Sequence, residues 1–108
     1  MNLSEYQEKS MRTLSKDVKG NDRVLNMLLG MSGEMGEVID LFKKHLLQGH
    51  ELEIRKVREA LGDVMFYIVN LCNLYDIELE DVLEGNYNKL LKRYPEGFDS
   101  ERSVNRER

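Results

Sequence analysis

Two groups of acidic residues carry the chemistry that this chain's composition makes available. Glu34 and Glu37 stand three apart in Gly33-Glu34-Met35-Gly36-Glu37-Val38, and a second cluster follows in Glu59-Ala60-Leu61-Gly62-Asp63. At about 100° per residue, acids three apart share one helix face on neighbouring turns. Asp63 sits among Leu61, Val64, Met65 and Ile68, where a plain bundle helix would carry another apolar residue. Carboxylates aimed at a core from two helices are costly unless a cation or hydrogen bonds compensate. Glu34, Glu37 and Asp63 are therefore candidate ligands of a divalent metal, with the oxygen donors that magnesium takes. The plainer alternative is that Glu34 and Glu37 line a solvated face, as most helical acids do. Asp63 is harder to explain that way.

Other chemistries find less support. A di-iron carboxylate bundle needs Glu-x-x-His pairs, and the sequence has none. His45 and His50 fall at the end of a helix and in the loop after it, which reads as surface. There is no Gly-x-x-x-x-Gly-Lys loop and no Gly-x-Gly-x-x-Gly, so the common nucleotide folds are disfavoured. Cys72, the only cysteine, has Ile68, Val69 and Leu71 nearby and reads as a core thiol rather than a nucleophile. Cations are available to meet phosphate oxygens. Lys43 and Lys44 close the second helix, and Asn86, Lys89 and Arg93 share a face of the fourth. Solvation or pairing with the helix dipole would explain each of them equally well.

The elements that must position these groups are helical. Of 108 residues, 33% are charged, with one proline and no tryptophan, which favours helices over a turn-rich β fold. A net charge of −4 argues against a general nucleic-acid surface. The amino terminus lacks the pattern of a signal peptide and no apolar run approaches membrane-spanning length, so a cytoplasmic protein is expected. Ser4 with Gln7 resembles a capping box for a first helix ending between Asp17 and Gly20. Asn21 or Asp22 should cap a second helix over 23–47, a third should cover 52–75, and Asp76 should cap a fourth running to Tyr94, where Pro95 and Gly97 stop it. Gly30, Gly33 and Gly36 inside the second helix point either to close helix packing or to room for a ligand. Asn70 and Asn73, interrupting an apolar run, read as helix–helix hydrogen bonds. The expectation is an all-α, four-helix bundle-like protomer over 1–98 with a polar tail over 99–108, frayed or laid across a neighbour. Apolar surface on helices two and three, with six methionines, calls for a homo-oligomer, a dimer or a tetramer.

Three blocks in order carry a family resemblance. They are Gly30-x-x-Gly33-Glu34-x-Gly36-Glu37-Val38, Leu61-Gly62-Asp63-Val64-x-x-Tyr67, and Asn86-x-x-Lys89-Leu90-x-x-Arg93-Tyr94-Pro95-Glu96-Gly97-Phe98. Together they resemble the MazG-like nucleoside triphosphate pyrophosphohydrolases of the all-α pyrophosphatase group. The resemblance implies cleavage of a nucleoside triphosphate between its α and β phosphates, giving a monophosphate and pyrophosphate. It also implies an oligomeric helical bundle and magnesium, with manganese as a substitute, held by an E-x-x-E and an E-x-x-D pair. Glu34 and Glu37 match the first pair and Asp63 the last acid. Tyr67 matches an aromatic position near the nucleotide, and Asn86, Lys89 and Arg93 match polar and basic positions near the phosphates.

One position departs: the remaining acid of the pattern falls at residue 60, which is Ala60. Glu59 is rotated about 100° from it but lies four before Asp63, within reach of that face. Glu59 taking over the role, a natural loss of catalysis, or an alanine introduced to trap substrate all fit, the last slightly better. Glu37 is the candidate to accept a proton from water. The readings to separate are an active pyrophosphohydrolase, a non-catalytic nucleotide-binding or sensing helical oligomer, and a purely structural oligomer.

Overall fold

The computed structural model describes residues 1–106, in which five α-helices follow one another with no extended strand. Helix α1 spans Leu3–Ser10 and leads into a single 3-10 turn at Met11–Thr13. Its cap is Asn2, whose Oδ1 accepts the Glu5 amide at 2.8 Å, and not Ser4. It also ends well before Asp17. The chain turns extended at Leu14, and the Ser15 hydroxyl takes the Asp17 amide at 3.3 Å, the local bonding by which short polar side chains compete with helix.

Helices α2 (Asn21–Gln48) and α3 (Ile54–Leu74) lie where the apolar periodicity places them. No side chain caps α2: the chain enters it through Gly20 at φ 60°, so Asn21 and Asp22 fall inside its first turn. It ends at Gly49 in the left-handed region at φ 72°, the usual solution at a helix C-terminus. The short connection to α3 makes the two an antiparallel pair, and their packing is the main interior contact of the molecule. On α2 the stripe facing α3 carries Met27, Met31, Glu34, Val38 and Leu41. On α3 it carries Ala60, Val64, Tyr67 and Leu71.

Helix α1 packs on the second half of α3 and on the start of α4 (Leu79–Arg93) through a polar junction. The buried Gln7 donates from Nε2 to the Ile77 carbonyl (2.8 Å), and its Oε1 accepts the Leu79 amide (2.9 Å). That second bond caps α4 from another helix. Asp76, expected to be the cap, instead carries the turn at φ 53°, and the position before α4 is Glu78 with no side-chain cap of its own. Asn70, 0% exposed, donates to the Phe66 carbonyl at 2.9 Å and to the Ser10 hydroxyl at 3.2 Å. Asn73 donates to the Gln7 carbonyl at 3.0 Å and to Asn70 Oδ1 at 2.9 Å. Both asparagines thus make the helix–helix bonds that their place in an apolar run suggests, and no buried side-chain polar atom among the described residues lacks a partner. Cys72 is buried, as expected.

Beyond Leu79 the chain leaves this core. Helix α4 touches α2 and α3 no more than marginally. Part of the tail forms a fifth helix, α5 (Ser100–Val104), which Asp99 caps by accepting the Glu101 amide at 2.9 Å; positions 107–108 of the tail expected over 99–108 lie outside the described residues. The protomer is open as a result. Its radius of gyration is 17.3 Å, against about 13 Å for a compact domain of this length. It exposes 8663 Å², where a compact monomer of its mass exposes about 6,200 Å².

Candidate functional site

The acidic residues are positioned by one contact. At Gly30 the backbone of α2 lies so close to the Tyr67 ring that a Cβ there would overlap the ring carbons. That contact is a reference point for the antiparallel pair. Counting up α2 and down α3 at equal rise, Glu34 comes level with Asp63 and Glu37 with residue 60. The helical wheel adds the second coordinate: Gly33, Glu34 and Glu37 on α2, and Glu59, Asp63 and Tyr67 on α3, fall to the same side of the interface. The three glycines of α2 therefore divide. Gly30 serves close packing, whereas Gly33 and Gly36 face open space.

The carboxylates are less enclosed than the sequence suggests. Glu34 is half-buried on the α3-facing stripe, but Glu37 and Asp63 are exposed. The expectation that Asp63 aims into a core is corrected. In this part of α3 the stripe through Asp63 has no helix over it, so its apolar sequence neighbours do not enclose it. Among the described residues no three acidic, histidine or cysteine side chains gather closely enough to hold an ion. The donor set on this edge is nevertheless oxygen only and opens on space above Gly33. That suits a hard cation keeping most of its waters better than a closed protein cage.

Position 60 is buried on the α2-facing stripe, whereas Glu59 points to solvent and pairs with Arg55 at 3.2 Å. Glu59 thus stands beside the missing acid's place rather than in it. Tyr67 is half-buried, packed over Gly30 and edge-on to Phe66 with ring centroids 5.3 Å apart. Lys43 and Lys44 turn back onto Asp40, at 3.8 and 2.8 Å. The hydrogen bond from Lys44 holds the Asp40 carboxyl below its ordinary range, and Asp40 in turn holds Lys44 above its own, with a smaller upward pull from Glu37.

The α4 group is not brought to this edge within the protomer. Asn86 is exposed, and Lys89 and Arg93 line a separate cleft shared with α5. The same cleft takes in Arg102 and Arg106, which the sequence gives no reason to single out beyond a four-residue spacing in a polar tail.

A helical hairpin with an edge of oxygen donors and a separate cationic surface is a frame for metal-assisted chemistry on phosphates. The chain belongs to the MazG nucleotide pyrophosphohydrolase domain family, whose model matches residues 23–98. It is also similar to the protein named Gene 37 protein of Mycobacterium phage L5, 36% identical over 73 residues. That alignment covers 64% of each chain, so this chain spans less than two thirds of the relative's length. No solved structure matches. No helix among the described residues is long and apolar enough to cross a membrane.

Proposed function

We propose that the chain is a magnesium-dependent nucleoside triphosphate pyrophosphohydrolase that hydrolyses the α–β phosphoanhydride and acts as a homo-oligomer. The observation that supports this reading is the close approach of Gly30 to Tyr67, from which Glu34 and Glu37 of α2 and Asp63 of α3 fall to one side of the helix pair. Glu34, Glu37 and Asp63 would hold the ion, magnesium or manganese. When bound, such an ion neutralises phosphate charge and makes an attacking water more acidic. A Glu37 carboxylate oxygen accepts the proton of that water. The water oxygen bonds to phosphorus as the bridging P–O bond breaks, and pyrophosphate and the monophosphate depart. Tyr67, held in place by Gly30, offers an aromatic edge to the nucleotide.

The large exposed area supports assembly. Roughly 2,400 Å² beyond the compact expectation exceeds the ~800 Å² per partner that a standard interface covers. A second copy, in a dimer or tetramer, covers this surface. Helix α4 stands clear of its own acidic edge, so Lys89 and Arg93 meet substrate phosphates from a neighbouring copy.

Ala60 favours a second reading, in which the same edge binds a nucleotide without turnover. The Ala60→Glu variant separates the two. Position 60 is buried against α2 near the level of Glu37, so a glutamate there reaches the acidic edge only by extending its carboxylate out of the interface. Pyrophosphate release from a panel of triphosphates, with magnesium or manganese, should rise by about two orders of magnitude over the parent chain, the scale of loss for a missing metal-site partner. No gain with binding retained selects the non-catalytic reading. No gain and no binding sinks both.

A further inference from the structure

Helix α4 leaves the core with little to direct it. It touches α2 and α3 no more than marginally, and it is anchored at its first residue, the buried Leu79. Residues 75–78 join it to α3, with Asp76 at φ 53°. The Ile77 amide donates to the Cys72 carbonyl at 3.0 Å, which ties the near side of this turn to α3. The far side is held by a side chain from the start of the protein.

Gln7 is 8% exposed and commits both of its polar atoms to the turn. Its Nε2 donates to the Ile77 carbonyl at 2.8 Å, and its Oε1 accepts the Leu79 amide at 2.9 Å. The backbone carbonyl of the same residue accepts a hydrogen bond from Asn73 Nδ2 at 3.0 Å, so Gln7 bridges α3 and the first residue of α4. The turn therefore asks for a donor and an acceptor on one carbon, which a side-chain amide supplies. A carboxylate would set oxygen against the Ile77 carbonyl. A methionine of similar length would leave the Leu79 amide buried without a partner.

We propose that Gln7 is a positioning residue that sets the angle at which α4 leaves the core, and with it the place where the polar face of α4, including Asn86 and Lys89, is presented. The lever is long. At 1.5 Å per residue Asn88 stands about 14 Å up the helix from the turn, so a swing of about 20° displaces it by about 5 Å. Gln7 lies outside residues 23–98, the part of the chain matched by the family model. That α4 carries its polar face to a substrate rests on the function proposed above. That Gln7 sets the direction of α4 does not.

The test reads that direction itself. Spin labels attached through Arg58→Cys on α3 and Asn88→Cys on α4, both exposed positions, report one distance by pulsed electron resonance. The buried Cys72 is replaced by alanine, and the labelled chain is diluted in unlabelled copies so that only the distance within one chain is read. Gln7→Met should shift that distance, or widen its distribution, by about 3 Å or more. Gln7→Glu keeps the acceptor for the Leu79 amide but loses the donor; it should act in the same direction, and it keeps the test readable if the methionine variant does not fold. Met27→Ala removes a side chain buried in α2 and destabilises the core. It should leave the distance unchanged, which separates direction from stability. The same distance in the parent and both Gln7 variants overturns the proposal, as does an equal shift in Met27→Ala. In the Ala60→Glu chain, Gln7→Met should also raise KM for a nucleoside triphosphate by about fivefold or more with a smaller change in kcat, because binding groups move while the acidic edge does not. A distance that shifts while KM holds keeps Gln7 as the residue that directs α4 and counts against the function proposed above, and so does an Ala60→Glu chain without turnover.

Discussion

The α2–α3 pair has two edges built by the same pair of helices, and they differ in almost every respect. One carries Glu34, Glu37, Glu59 and Asp63, with Gly33 and Gly36 leaving space above them. The other carries Leu28, Met35, Ile39, Leu61 and Met65, all exposed, with Ile39 as much as 61% accessible. Both edges are open in the protomer. The acidic edge spreads its charge without closing on an ion, and the apolar edge presents surface that a monomer has no reason to keep in water. The difference lies in what it costs to leave each edge in water. An acid in water costs little, so the first edge tolerates being open. An apolar side chain in water forfeits about 25 cal/mol for each Å² left uncovered, so leaving the second open costs more.

The comparison breaks most visibly at the apolar edge. If copies meet at this edge as proposed, Ile39→Lys with Leu61→Lys should leave a monomer at micromolar concentration, a loosening of about a hundredfold or more, since a charge buried in an interface without a partner costs several kcal/mol. Light scattering or sedimentation reads the change directly. If the doubly substituted chain keeps the parent mass, the apolar edge is not where copies meet.

Next in size is the contact between Gly30 and Tyr67. Gly30→Ala forces the Tyr67 ring aside and should destabilise the fold by about 1–3 kcal/mol. Gly33→Ala, a turn away with nothing above it, should instead stabilise by up to about 1 kcal/mol. Denaturant midpoints compare the two. Equal effects would mean that the close approach at Gly30 does not fix the helix pairing.

A smaller effect separates charge from packing on the acidic edge. Glu34→Gln and Asp63→Asn should change the melting temperature in metal-free buffer by little, within about 0.5 kcal/mol of stability, because an exposed or half-buried acid contributes little to the core. If the acidic edge holds the ion as proposed, they should remove any rise in melting temperature that millimolar magnesium gives the parent chain. A rise that survives both substitutions places the cation elsewhere.

How far the sequence reads through to this arrangement depends on how local each cause is. Helices α2 and α3 follow from apolar spacing, because each stripe is written within its own element. The roles of Asn70 and Asn73 also follow, since a polar residue inside an apolar run must find a partner. The cap of α4 does not: it is Gln7 Oε1, supplied from the other end of the chain, and nothing beside Asp76 announces it. The exposure of Asp63 escapes the sequence for a related reason. Apolar neighbours in sequence say that a helix has a buried face, but its width depends on how many helices cover it, and here α4 does not come back to do so. The cationic cleft was invisible for the same cause, because its two walls are brought together by a turn rather than by a pattern.

The smallest expected effect concerns Asp40, which ties Lys43 and Lys44 down beside the acidic edge. Its carboxyl is held below the ordinary range, chiefly by the hydrogen bond from Lys44. Its contribution is therefore complete above the unfolded value of about pH 4 and is lost as pH falls through the lower folded value. Lys44 is held above its ordinary range, chiefly by the hydrogen bond to Asp40. Its contribution is complete below about pH 10.4 and is lost as pH rises through the higher folded value. Between those limits the pair is indifferent to pH. The difference in melting temperature between the parent chain and Asp40→Asn should thus be small and flat from about pH 5 to 9, shrinking only on acidification below about pH 4 and above about pH 10.4. A difference that changes near pH 7 would show that Asp40 is coupled to a group titrating there.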